Sequence, residues 1–262
     1  MKSSQAIGVF DSGVGGLSVL THIHHLLPGE NLCYVADSAF MPYGCKSAAL
    51  VEERCMKIAR FFIEQKCKAI VVACNTATAV AVHSIRELYD IPVIGMEPAL
   101  KPAVVHSASG VVGVLATSGT LGSDKFQQLK NRYAKGAELI VQPCPGLVEV
   151  IEKGDLDALA IRSLLEVYLK PLLDKQVDTL VLGCTHYPFI SQLISELAGE
   201  SVRVIDTGEA ISRELKRQLV AHDLAVNSEQ QADLCFWSSS RNSEAVIARL
   251  WGESVIVGQL DF

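Results

Sequence analysis

The sequence predicts an α/β protein with two similar α/β domains and mostly parallel sheets. Three observations carry that expectation. Short apolar, β-branched runs recur along the chain, they show no apolar–polar alternation, and longer amphipathic segments separate them. A strand covered on both faces reads as a continuous apolar run, and parallel strands need helical crossovers between them.

Taken in order, "AIGVF" (6–10), "LCYVA" (32–36), "AIVVA" (69–73) and "PVIGM" (92–96) read as buried strands, as do "GVVGVL" (110–115), "ELIVQ" (138–142), "TLVLG" (179–183) and "VRVID" (202–206). Helical periodicity runs over Ala48–Gln65, Ala77–Leu88 and Leu156–Leu173. "LCFWSSS" and "AVIARLWGESVIV" near the end read as a strand, a helix and a strand that can return to the first half. "IGVFDSG" (7–13) is similar to "VGVLATSG" (112–119), and "AIVVACNTAT" (69–78) to "TLVLGCTHYP" (179–188). Two halves of one plan account for both pairs. "MEPALKPA" (96–103) and "IDTGEA" (205–210) are the crossovers, which gives domains 1–97 plus 208–262 and 98–207.

The 262 residues suffice for such cores. A net charge of −6 without a dense basic run argues against nucleic acid and anionic membranes as partners. The start, "MKSSQAIGVFDSG", lacks the apolar core of a signal peptide, and no apolar run approaches the roughly 18 residues of a membrane helix. The expected location is the cytoplasm, where the eight cysteines are reduced thiols. No C-x-x-C pair occurs, so no metal site is expected. "HIHH" (22–25) reads as part of a helix surface, and Trp237 and Trp251 as core or interface.

"GVFDSGVGGLSVL" invites a dinucleotide reading, with Asp37 ending the next strand. Gly13 and Gly15 fit the fingerprint, but Ser18 stands at its last position. Asp11, just ahead of the glycines, would repel a pyrophosphate and attract a cation such as a substrate ammonium. Ser12 and the loop N–H groups suit a small anion beside it.

Cys74 and Cys184 each end an apolar run, where ligands of α/β sheets bind. Either alone reads as a small buried hydrophobe. As a pair, followed by Asn75-Thr76 and Thr185-His186, they suit a carboxylate ligand and reactive thiols. Two thiols on one carbon can invert it: one takes a proton, the other returns one to the opposite face. A single Cys184–His186 hydrolase pair is the competing arrangement.

"FDSGVGGLSVL", "PYG" (42–44), "CNTATA" and "GCTHYP", in that order, resemble the glutamate racemases of the aspartate/glutamate racemase family. The resemblance spans nearly the whole chain. It implies cofactor-independent interconversion of L- and D-glutamate, supply of D-glutamate to peptidoglycan, a homodimer, and an active site in the cleft between two α/β domains. It makes Cys74 and Cys184 the acid/base thiols, with Cys74 acting on D-glutamate and Cys184 on L-glutamate. Asp11 and His186 are implied as their helpers. Asp11, Ser12, Pro42, Tyr43, Gly44, Asn75, Thr76, Thr117, Thr120, Glu149, Thr185 and His186 are implied as substrate-binding groups. Some relatives carry an N-terminal extension linked to activation by a uridine-diphosphate muramyl-alanine. This chain begins only a few residues before its first strand, which argues against that activation here. A racemase for aspartate or another acidic amino acid, and a nucleotide-binding α/β protein, are the alternative readings.

Overall fold

A computed structural model describes residues 4–134, 136–157, 159–226 and 232–262. The chain divides into two compact units, Met1–Met96 with Gly208–Phe262, and Glu97–Thr207.

The first unit opens with β1 (Ile7–Asp11), α1 (Leu17–Leu26), β2 (Leu32–Ala36), α2 (Ala48–Glu64), β3 (Ala69–Val72), α3 (Asn75–Leu88) and β4 (Val93–Gly95). The second holds α4 (Leu100–His106), β5 (Val111–Ala116), α5 (Ser118–Leu121), α6 (Asp124–Tyr133) and β6 (Glu138–Pro143). It continues with α7 (Leu147–Ile151), α8 (Leu159–Leu173), β7 (Thr179–Gly183), α9 (Ser191–Ala198) and β8 (Arg203–Ile205). The chain then returns to the first unit as α10 (Gly208–Ala221), β9 (Leu234–Ser238), α11 (Glu244–Trp251) and β10 (Val257–Gln259). The helix expected from Leu156 is described from Leu159; residue 158 lies outside the described residues.

Both sheets are parallel throughout. The first runs β10-β9-β2-β1-β3-β4 and the second β6-β5-β7-β8. The shared plan is plain: the first strand of each unit lies between its second and its third. The chain order reverses between β1 and β3 in one sheet and between β5 and β7 in the other. Loops that leave neighbouring strands on opposite sides of such a reversal leave a crevice at the carboxyl ends.

Residue choice explains the layers. In β5, Val112, Val114 and Ala116 pack with Leu100 and Phe126, while Leu115 faces Leu147, Ile161 and Leu165. This is the period-two alternation of a strand buried on both sides. α8 buries Ile161, Leu165, Leu169 and Leu172, a stripe at helical spacing. α2 buries Val51, Cys55, Ile58, Ala59 and Phe62 over the first sheet. Phe62 comes so close to β1 that a Cβ on Gly8 would lie 2.5 Å from its ring. Only glycine lets that ring lie on the strand.

α3 begins at Asn75, two residues before the expected Ala77, because Cys74 takes an extended backbone and caps it. β1 extends one residue beyond the expected Phe10 and so carries Asp11. "HIHH" lies on α1, with Ile23 buried and His24 against the edge of Trp251. Trp237 is half-buried and packs edge-on to Phe61. Among the described residues, no helix is long and apolar enough to cross a membrane.

Candidate active site

In the first unit, β1 and β3 flank the order reversal and deliver Asp11, Ser12 and Cys74 to the carboxyl ends of the strands there. Asp11 is fully buried, and its Oδ2 accepts the Gly16 N–H at 2.9 Å. The carboxylate thus occupies the anion position at the start of α1, where a nucleotide phosphate would otherwise sit. The approach requires glycine, since a Cβ on Gly16 would lie 2.7 Å from the Asp11 Cβ. Tyr34 braces the loop by donating to the Gly13 carbonyl at 2.8 Å. The Ser12 hydroxyl lies 3.5 Å from Asp11 Oδ1 and 3.9 Å from the Cys74 sulfur. Cys74 Sγ accepts the Ala77 N–H at 3.5 Å, so the sulfur sits in the partial positive field at the start of α3.

Asn75 and Thr76 follow in the first turn of α3, both buried. Neither the amide nitrogen nor the amide oxygen of Asn75 has a hydrogen-bond partner. A buried amide left unpaired costs about 1–3 kcal/mol, and in folded proteins such groups are few. An unpaired donor beside Cys74 is suited to a polar ligand.

Asp37, at the end of β2, holds the neighbouring wall. Its carboxylate takes two hydrogen bonds from Arg54, at 3.0 and 2.8 Å, and one from the Tyr43 hydroxyl at 2.5 Å. Arg54 and Asp37 are 2 % and 1 % exposed, and the guanidinium stacks over Phe40 while donating to the Phe262 carbonyl. Burial pushes the Tyr43 phenol far up, and the charges of Cys55, Asp37 and Cys74 add to the shift. Tyr43 therefore stays a neutral donor. Its ring is buried in a short 3-10 turn, with Pro42 and Gly44 half-buried on either side.

In the second unit, β7 ends at Gly183 and hands the chain to Cys184, Thr185 and His186, all buried. His186 Nδ1 lies 3.6 Å from the Cys184 sulfur, and Nε2 lies 2.6 Å from Glu152 Oε1. Burial pulls the imidazole pKa down, yet the hydrogen bonds to Cys184 and Glu152 prevail and hold it well above its ordinary value. Both contacts favour the protonated ring, which can give one N–H to the sulfur and the other to the carboxylate. After β5, Thr117 caps α5: its Oγ1 accepts the Thr120 N–H at 3.2 Å and donates to Thr120 Oγ1 at 3.0 Å.

Within the first unit the structure gathers Asp11, Ser12 and Cys74, with Asn75 and Thr76 next in the chain. Within the second it gathers Cys184 and His186, with Thr185 between them, and places Thr117 and Thr120 after the neighbouring strand. Glu149 is exposed on α7, and the carboxylate on His186 is Glu152, three residues on. Asp37 and Arg54 were outside the expected set. Arg54 had a signal, since it falls inside the apolar stripe of α2 between Val51 and Cys55. A charge on a buried stripe needs a partner.

A family model described as Asp/Glu/Hydantoin racemase matches residues 7–215. A glutamate racemase of Ectopseudomonas mendocina is 53% identical over 261 residues, with 98% of this chain and 99% of the relative covered. Among solved structures, a glutamate racemase isoform of Bacillus anthracis is 32% identical with a TM-score of 0.90, and 98% of each chain is covered. The Escherichia coli glutamate racemase, solved with L-glutamate and the activator UDP-MurNAc-ala, is 33% identical with a TM-score of 0.87 and the same coverage. With a racemase model running from β1 into α10 and a relative above half identity along its length, the chain belongs to the Asp/Glu/Hydantoin racemase family.

Proposed function

We propose that this chain interconverts L- and D-glutamate without a cofactor, using Cys74 and Cys184 as the acid and the base. The observation that carries the reading is the shared plan of the two sheets. Each places one thiol just beyond the strand beside its first strand, with polar or charged groups around it.

The chemistry asks both thiols to act on one α-carbon from opposite faces. One thiolate takes the α-proton, the other thiol returns a proton, and the two have exchanged protonation states when the product leaves. The return reaction runs from that exchanged state. Cys74 is the base toward D-glutamate and Cys184 toward L-glutamate.

An amino-acid α-proton is very weakly acidic, so the site must stabilise developing negative charge with preorganised donors. The free Asn75 amide, Ser12 and the backbone N–H groups at the start of α3 are such donors. The Asp11 carboxylate suits the substrate ammonium. The His186 imidazolium supplies a proton and a positive charge at the Cys184 sulfur, and Glu152 holds the ring in place. Positioned acid and base groups contribute roughly 10²–10⁴-fold each. The biological role in this reading is supply of D-glutamate for peptidoglycan in the cytoplasm.

The test is incubation of the protein with L-glutamate in D₂O, following α-deuteration by NMR and optical rotation. Deuterium at the α-carbon together with D-glutamate is the expected result. Folded protein that gives neither would overturn the reading. Aspartate run in parallel decides the substrate: faster exchange with aspartate replaces glutamate in the proposal.

A further inference from the structure

Nearer the amino ends of its strands, the first sheet holds a second set of thiols. Cys33 on β2 and Cys235 on β9 are in register on adjacent parallel strands. Their side chains therefore leave the sheet on the same face, and strands in a sheet lie about 4.7–4.9 Å apart. That spacing falls within the Cα separation a disulfide accepts, about 4.4–6.8 Å. Cys33 is buried at 3 % exposure, whereas Cys235 is exposed. Cys235 and Cys67 both act on the Cys33 thiol and, with burial, push its pKa far above the ordinary value. Among the described residues, the strand outside β9 is the three-residue β10, at the edge of the sheet.

We propose that Cys33 and Cys235 are an oxidation site, in which a hydroperoxide oxidises Cys235 and Cys33 closes it to an intrachain disulfide.

The two thiols divide the work because their surroundings differ. The hydrogen bond from Cys33 lowers the Cys235 thiol to about 7; burial opposes the shift and the Trp237 indole N–H assists it. The neighbouring Cys235 and Cys67, together with burial, hold the proton on Cys33. At neutral pH the exposed sulfur is thus the nucleophile and the buried one its proton donor. In the first step the Cys235 thiolate attacks the outer oxygen of the hydroperoxide. An S–O bond forms, the O–O bond breaks, and the alcohol leaves with a proton from water. Cys235 is then a sulfenic acid. In the second step the Cys33 sulfur attacks the Cys235 sulfur. The S–S bond forms, the S–O bond breaks, and water leaves with the Cys33 proton. Two thiols and one hydroperoxide give one disulfide, one alcohol and one water.

The experiment uses the full chain and hydrogen peroxide, with peptide mapping by mass spectrometry. Expected is a Cys33–Cys235 linked peptide, absent from Cys235→Ser and reversed by dithiothreitol. In Cys33→Ala, a dimedone adduct accumulates on Cys235. Iodoacetamide at pH 7 alkylates Cys235 about threefold faster than a cysteine tripeptide. That is the net of more thiolate and lower nucleophilicity for a thiol lowered from about 8.5 to about 7. Cys45, the other exposed thiol among the described residues, is the internal reference. Alkylation of Cys235 no faster than Cys45, or oxidised wild type linked through Cys67 or between two chains in place of Cys33–Cys235, overturns the proposal. If Cys33→Ala does not fold, the wild-type map and the alkylation rates decide alone.

Discussion

Glu152 and Cys184 share one imidazole: His186 gives Nε2 to the carboxylate at 2.6 Å and Nδ1 to the sulfur at 3.6 Å. The carboxylate helps keep the ring protonated, so its charge reaches the thiol through the ring. Glu152→Gln keeps the shape and removes that charge. The expected result is a loss of about 10²-fold in kcat, the lower end of what a positioned proton donor contributes. The alkaline limb of the rate profile moves to lower pH, since the imidazolium then loses its proton earlier. A uniform loss at every pH would mean that Glu152 acts through packing alone.

The same ring gives the stability a pH dependence of known sign. The His186 pKa is raised in the folded chain above an unfolded value near 6.5. Its contribution is therefore fully present below about pH 6.5 and is lost as pH rises through the folded value. Denaturant unfolding of wild type and Glu152→Gln should differ most at pH 6, and the gap should narrow in alkaline buffer. A gap that widens with pH would reverse the assigned charge state.

Cys74→Ser and Cys184→Ser are each expected to lower racemisation by at least about 10²-fold, because a serine hydroxyl is a far weaker acid than a thiol. Circular dichroism should show the fold unchanged, since each swap is close to isosteric. Deuterium wash-in from each enantiomer separates the two: Cys74→Ser impairs exchange from D-glutamate most, Cys184→Ser from L-glutamate. Near-wild-type turnover in either variant removes that thiol from the mechanism.

Asn75 places stability and binding in opposition. Its buried amide makes no hydrogen bond within the chain, which costs stability. Asn75→Leu, similar in volume and free of polar atoms, is expected to raise unfolding stability by about 1 kcal/mol and to raise KM for glutamate. Thermal unfolding and steady-state kinetics measure both on one sample. A destabilised variant with unchanged KM would show that the amide is paired by something other than substrate.

The Arg54–Asp37 pair should follow the rule for buried charges. Arg54→Leu leaves the Asp37 carboxylate buried without its partner and is expected to cost about 3–5 kcal/mol. Arg54→Leu with Asp37→Leu should recover most of that loss, since neither charge then remains. The double variant still loses the Tyr43 hydrogen bond, so activity should stay low although stability returns. Denaturant melts of the single and double variants measure the coupling.

The strands are legible because both faces are covered, which writes each as an unbroken apolar word such as "AIVVA" or "TLVLG". Cys74 and Cys184 are legible because each stands where such a word stops. What the linear chain does not show is the direction of a side chain across a short helix. Glu149 and Glu152 are one turn apart, and α7 spans only Leu147–Ile151, so no periodicity chooses between them. The acid at its end, rather than the one on its outer face, meets His186. Asp37 is visible at a strand end, but its partners are remote in the chain: Arg54 comes from the next helix, which in turn reaches Phe262.

The strand order also sets a schedule for synthesis. β2 forms its outer edge at Leu32–Ala36, but the strand that covers it, β9, begins only at Leu234. During translation, the whole second unit emerges from the ribosome while that edge still shows unpaired backbone groups, the feature that invites pairing with another chain. The unit begun first is the one completed last: its sheet stays open at β2 until β9 has been made, after the whole of the second unit.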